Sequence, residues 1–180
     1  MSALKIEDLP RYTYEDYKNW SDRWELIHGI PYAMAPMPVI KHQRINLKIA
    51  WQLEELLKNC NLCKALMSVD WKIDNETILQ PDNLVICHKP MFDSYLTKAP
   101  VIIFEILSPS TAHKDTGIKF DIYEQEGVKY YIIVNPNEKV AKVYFNKEGK
   151  YIKVIDATDE VIEFETKCGK MEFDFSKIWE

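Results

Sequence analysis

Glycine and proline are scarce in this chain, with five and nine among 180 residues. That scarcity excludes a collagen-like or linker-dominated polymer. No apolar run approaches the ~20 residues that a membrane helix needs, so no membrane association is expected. The opening residues, MSALKIEDLPRYTYEDY, lack a basic stretch followed by an apolar one. No export signal is therefore expected, and the chain reads as cytoplasmic. An excess of basic charge is missing too. Lys and Arg number 23 against 28 Asp and Glu, for a net charge of −5, whereas a dedicated nucleic-acid binder usually shows a basic balance. Cysteine is limited to Cys60, Cys63, Cys87 and Cys168. Without an export signal these read as buried free thiols rather than disulfides.

What is present is the composition of a folded protein. Hydrophobic residues make up 47%, with five Trp, ten Tyr and seven Phe, enough to build a core and exclude global disorder. The length suggests one domain spanning 1–180. The acidity is uneven: from Val154 to Glu180 there are eight acids against three lysines, which accounts for the whole net charge. Residues 1–153 balance, so a basic groove there is permitted.

Periodicity and turn residues outline the elements. Thr13–Tyr17 reads as a short helix with Thr13 as N-cap and Asp16 three residues on. Trp24–Met34 reads as a strand pair turning at His28-Gly29, broken by Pro36 and Pro38. Val39–Asn59 is the strongest helix, with Ile45, Ile49, Leu53, Leu56 and Leu57 on one stripe. Lys64–Ile73 and Leu79–Cys87 read as strands. Pro100–Leu107 is almost wholly apolar, the pattern of a central strand buried on both faces. Thr116–Glu126 reads as a helix ended by Gly127, and Tyr130–Val134 as a second buried strand. Val140–Phe145 and Tyr151–Ile155 form a hairpin around Asn146–Gly149, and the tail adds one or two strands. The order implies an α/β protein with helices packed on a sheet, and a parallel crossover from Pro100 to Val134.

Two carboxylates stand out. Asp82 follows Pro81, and Glu105 is the single charge inside Val101–Leu107. A lone charge in a central strand is costly unless it is paired or binds a cation. With the two strands as neighbours, both acids point to one spot, a hard-oxygen site suited to Mg²⁺ or Mn²⁺. The alternative is that Glu105 pairs with a lysine. A Cys-x-x-Cys pair at Cys60 and Cys63 has zinc-ligand spacing, with Cys87 and His88 as a second pair, but it follows a helical stretch and free thiols are the preferred reading.

Pro81-Asp82, the strand carrying Glu105, Ser108-Pro-Ser-Thr111, Asp115, Lys119, Tyr123 and Gly127-Val128 stand before an apolar strand ending at Pro136. In this order, together with Trp24–Gly29 and His42-Gln43, they resemble the Uma-type "putative restriction endonuclease" family of the PD-(D/E)XK nuclease superfamily. The resemblance runs from about Tyr12 to Tyr144. It implies a restriction-endonuclease-like α/β core over about 12–144, with a mixed central sheet flanked by helices, and leaves 145–180 as an acidic, β-rich extension. It also implies DNA as substrate and a homodimer, since a duplex cutter benefits from two sites on a two-fold axis.

Carried across by position, Asp82 and Glu105 match the family's metal-binding acids, and the carbonyl of Ile106 would complete the coordination of Mg²⁺ (or Mn²⁺). The superfamily's common lysine falls at Leu107, so that pattern is broken, and Lys119 on the following helix matches its substitute. Glu25 matches an early acid and is a candidate third acid. His42 matches a histidine opening the long helix, a candidate for orienting phosphate or water. Lys129-Tyr130-Tyr131 replaces the family's frequent Pro-Glu-Tyr, and Asn135 replaces an Asp. The expected activity is metal-assisted phosphodiester hydrolysis. A nuclease-fold binding or assembly module with little or no catalysis is the alternative, favoured by the acidic balance and the displaced lysine.

Overall fold

Local signals set most element boundaries. The structure, a computed structural model, describes residues 9–34, 39–90, 92, 94–109 and 111–179. In chain order the elements are α1 (Tyr14–Tyr17), β1 (Trp24–Ile27), β2 (Ile30–Ala33), α2 (Ile40–Leu57), β3 (Lys64–Met67), β4 (Asp70–Lys72), β5 (Ile78–Leu79), β6 (Asn83–Ile86), β7 (Tyr95–Leu96), β8 (Ile102–Ile106), α3 (Ala112–Asp115), α4 (Ile118–Gln125), β9 (Tyr130–Asn135), β10 (Val140–Lys147), β11 (Lys150–Ala157), β12 (Val161–Thr166) and β13 (Gly169–Asp174), then a 3-10 turn at Phe175–Lys177. Pro36, Pro38 and Ser110, singled out above, lie outside the described residues. No helix among the described residues is long and apolar enough to cross a membrane. The chain divides into two compact units, one from the described residues of 1–36, 69–80 and 90–98, the other from those of 37–68, 81–89 and 99–180.

The first unit holds a five-stranded sheet in the order β2-β1-β5-β4-β7. Its hairpin turns at His28 (φ 50°) and Gly29 (φ 76°), and two successive left-handed residues are what a tight two-residue hairpin turn requires. Asp16 Oδ2 accepts the Thr13 N–H at 2.8 Å and starts α1. The core here is aromatic: Tyr17, Leu26 and Ile78 are buried, with Tyr12, Tyr14, Trp20 and Trp24 packed on them. Asp70 Oδ1 accepts from the Tyr17 hydroxyl at 3.0 Å and from Gln80 Nε2 at 2.6 Å.

Two expected strands are cut. Lys64–Ile73 breaks at Ser68 (φ 47°) into β3 and β4, which belong to different sheets. A left-handed residue cannot continue a strand. Leu79–Cys87 breaks around Pro81 into β5 and β6, because proline has no N–H for the ladder.

The second unit carries a six-stranded sheet in the order β11-β10-β9-β8-β6-β3. β8 and β9 run parallel and the other pairs antiparallel. Every residue of β8 is buried, and so is every residue of β9 except Asn135. Ile45, Ile49 and Leu53 of α2 are fully buried in the core that includes β6, β8 and β9. The stripe ends at Leu57, while Leu56 is 38% exposed. A four-residue step rotates about 40° around a helix, and by the last turn the buried row has passed to Leu57. β12 and β13 pair only with each other, yet Phe164, Phe173 and Phe175 enter the same core. Phe104 lies 5.1 Å from Phe173, ring centre to ring centre. Gln52 clips the hairpin down: its Nε2 donates to the Asp174 carbonyl at 3.1 Å, and its Oε1 accepts the Asp174 N–H at 2.7 Å.

The cysteines correct the expectation of free thiols. Cys60 is bonded to Cys168 and Cys63 to Cys87. The β3–β6 register sets Lys64 opposite Ile86, so the next pair outward is Cys63 and Cys87. The partners are separated by 108 and 24 residues of chain, which hides both pairings from local reading.

Candidate active site

The register of β6 on β8 sets Asn83 opposite Phe104. One step outward, Asp82 stands opposite Glu105, and the two side chains interlock through the backbone. Asp82 Oδ2 accepts the Ile106 N–H at 2.8 Å, while Glu105 Oε2 lies 3.4 Å from the Asp82 N–H. Glu105 is 3% exposed, and burying an ionised carboxylate is tolerable only with partners. It has two on one oxygen: Oε1 accepts from Lys119 Nζ at 2.9 Å and from the Tyr123 hydroxyl at 2.7 Å.

Lys119 is also buried and lies 3.5 Å from Asp115 Oδ1. Asp115 ends α3 and Lys119 is in the first turn of α4. Gly117 separates the two helices, and a Cβ there would stand 2.8 Å from the His113 carbonyl oxygen. The absence of that Cβ lets the chain turn tightly and bring both charges to Glu105. From beneath, the Tyr131 hydroxyl donates to the Asp115 carbonyl at 2.8 Å. Burial, then the Glu105 and Asp115 carboxylates, push the Tyr131 phenol well above its ordinary pKa, so it stays a donor.

His42 completes the cluster from the first turn of α2. It is buried, and its Nε2 lies 3.4 Å from Asp82 Oδ2. Burial, the largest single effect, opposes its charge, but the hydrogen bond to Asp82, the charge of that carboxylate, the Ile106 backbone and Asp115 together outweigh it and the pKa is raised. Its Nδ1 is buried without a hydrogen-bond partner among the described residues.

The structure thus brings Asp82, Glu105, Ile106, Lys119 and His42 together. Glu25 belongs to the first unit, where it is buried on β1 and its Oε1 accepts the Gln80 N–H at 3.1 Å. Leu107, at the usual lysine position, continues β8 outward, its N–H bonded to the Val134 carbonyl. Sequence reasoning did not give Tyr123 its direct bond to Glu105. The signal was present, since Asp115, Lys119 and Tyr123 recur at four-residue steps, the spacing of one helix face.

As a donor set the cluster suits a hard cation. It offers two carboxylates, and Asp82 Oδ1 has no protein donor among the described hydrogen bonds, whereas the soft ligands that would favour other metals are missing from it. Glu105 is already neutralised by Lys119, so a cation there would share that carboxylate with the ammonium.

The model of a family described as "Uma2: Putative restriction endonuclease" matches residues 9–166. Among solved structures the chain is similar to a "putative nuclease belonging to DUF820" from Anabaena variabilis, with a TM-score of 0.76 and 16% identity over 93% of this chain and 97% of that one. The fold is therefore the mixed α/β core of that structure, with helices flanking the sheet. No curated protein matches the chain.

Proposed function

The chain belongs to the family described as "Uma2: Putative restriction endonuclease", and on that premise we propose that it is a Mg²⁺-dependent (or Mn²⁺-dependent) endonuclease that hydrolyses DNA phosphodiester bonds. The observation that carries this reading is the interlocked pair of Asp82 and Glu105 with Lys119 on the same carboxylate. Asp82, Glu105 and the Ile106 carbonyl would hold the cation. When bound, it would supply Lewis-acid polarisation of a phosphate oxygen and a more acidic water.

The remaining work falls to the chain. Lys119, fixed between Glu105 and Asp115, positions a cationic donor against negative charge developing on the phosphoryl group, and a preorganised donor acts without reorganising during reaction. Tyr123 holds Glu105 in place. His42 keeps Asp82 Oδ2 engaged, leaving Oδ1 for the cation, and its Nδ1 is available to hold a water or a phosphate oxygen.

A homodimer in the cytoplasm fits a duplex cutter. Ile40, Leu47 and Trp51 of α2 are 79%, 55% and 60% exposed. Their spacings of seven and four residues put them on one face, an apolar stripe for a second copy to cover. The second reading, a nuclease-fold binding or assembly module, is favoured by the net charge of −5 and by Leu107 in the usual lysine position.

The test is cleavage of plasmid DNA with Mg²⁺ or Mn²⁺, alongside calorimetric titration of Mn²⁺ or Ca²⁺. The wild type should cut and should bind the ion. Asp82→Ala should lose both, and Glu105→Gln should lose cleavage and the metal-induced rise in melting temperature while still folding. A wild type that neither cuts nor binds the ion better than Asp82→Ala would leave the binding-module reading in its place.

A further inference from the structure

Three of the four cysteine sulfurs converge and the fourth is bonded to one of them, although they come from three distant segments. Cys60 and Cys63 lie in the turn after α2, Cys87 just past β6, and Cys168 in the turn of the β12–β13 hairpin. The sulfurs of Cys60, Cys63 and Cys168 lie within 4.8 Å of one another, and the Cys87 sulfur is bonded to that of Cys63. Two structural disulfides have no need to touch. A single centre shared by all four sulfurs does require it: a tetrahedral zinc with Zn–S bonds of about 2.3 Å holds its sulfurs roughly 3.8 Å apart.

One further feature favours a metal. The Cys63 N–H points at the Cys60 sulfur at 3.0 Å, a contact that stabilises thiolate charge, and the thiolate is the metal-binding form.

We propose that the reduced chain binds one Zn²⁺ through Cys60, Cys63, Cys87 and Cys168. The ion fastens the C-terminal hairpin to the end of α2 and to the β3–β6 edge, beside the α2–β13 junction that Gln52 makes. Cys63 and Cys87 are buried and Cys168 is exposed, so the site is fixed from inside and loaded from solvent. Neither His88 nor Cys87 is in the three-sulfur group; Cys87 is included because its sulfur is bonded to that of Cys63. The site is separate from the acidic one, because Cys87 lies five residues along the chain from Asp82, roughly 16 Å if extended. It is not carried by the family match either, which ends at residue 166, before Cys168.

The chemistry balances. A water-soluble phosphine, oxidised to its oxide with oxygen from water, turns each disulfide into two thiols. Zn²⁺ then displaces four thiol protons to solvent, leaving a site of net charge −2.

The experiment uses the full chain, reduced with the phosphine and titrated with Co²⁺ alone, then Zn²⁺. Co²⁺ should give the sulfur-to-metal charge-transfer band and the intense visible bands of a tetrahedral thiolate site. Stoichiometric Zn²⁺ should bleach them and raise the melting temperature. Cys87→Ser and Cys168→Ser should each lose the four-sulfur spectrum. His88→Ala and Asp82→Ala should keep it, so failure of the nuclease reading leaves this result untouched. The assignment is overturned if the fully reduced wild type gives no thiolate band with Co²⁺, or if the band survives unchanged in both serine variants. It is equally overturned if alkylation and mass measurement show both disulfides intact in protein made and kept under reductant.

Discussion

Asp82 and Glu105 face each other across the antiparallel β6–β8 pair, and each carboxylate reaches back to the other strand's backbone: Asp82 Oδ2 to the Ile106 N–H at 2.8 Å, Glu105 Oε2 toward the Asp82 N–H at 3.4 Å. Strand register and side-chain position therefore fix each other. Lys119 and Tyr123 neutralise and orient Glu105. Preorganisation of this kind sets a stability cost for every partner removed.

Lys119 carries the largest share. It is buried between Glu105 and Asp115, so Lys119→Ala leaves two buried carboxylates short of a cation. Breaking a buried pair in this way costs about 3–5 kcal/mol. Urea unfolding should show a loss of that order, and a smaller one for the double variant Lys119→Met with Glu105→Gln. A loss below about 1 kcal/mol, the ordinary worth of an exposed pair, would mean that the ion pair is not buried.

Tyr123→Phe deletes a single hydroxyl and leaves the ring. The lost donor serves a charged acceptor at 2.7 Å, and such bonds are worth about 1.5–3 kcal/mol. Stability should fall by about that amount, and cleavage should fall with it as Glu105 loses one of its anchors. Unchanged stability would show that Glu105 can dispense with the hydroxyl.

Gly117→Ala tests the junction between α3 and α4. The backbone there is at φ −119° and ψ −103°, and the new Cβ would sit 2.8 Å from a backbone carbonyl that cannot swing aside. A loss of about 1–3 kcal/mol is expected, with weakened activity because Asp115 and Lys119 straddle the junction. A neutral result by urea unfolding would show that the two helices shift freely.

Asp70 gives the pH dependence. Burial raises its pKa above the ordinary 3.8, against the hydrogen bonds from Gln80 and Tyr17 that lower it. A raised acid favours the folded state when protonated, so its contribution is full below 3.8 and is lost as pH rises through the folded-state value. Asp70→Asn keeps an oxygen for Tyr17 and Gln80 without the charge. It should melt higher than wild type at neutral pH, and the difference should close as pH falls. A gain that is constant with pH, or a lower melting temperature at pH 7, would contradict the burial argument.

The amino-acid order alone determined the elements with a strong local cause. The apolar runs Ile102–Ile106 and Tyr130–Asn135 became the parallel centre of the six-stranded sheet, because near-continuous hydrophobicity fits only a strand covered on both faces. The 3.6-residue stripe of α2 and the hairpin turns at His28-Gly29 and Glu148-Gly149 were readable for the same reason: each is fixed by residues within a turn or two of one another. The order Pro81-Asp82, Glu105, Lys119 carried the family likeness. Only the tertiary structure decided what depends on distant partners. Ser68 adopts a left-handed backbone and splits one expected strand between two sheets. Glu105 meets Tyr123 as well as Lys119, and Cys60 meets Cys168 across 108 residues. Sequence spacing measures neighbours along the chain, whereas burial of a charge and the pairing of distant cysteines are settled by which strands and turns pack together, and by the cost of leaving any polar group there without a partner.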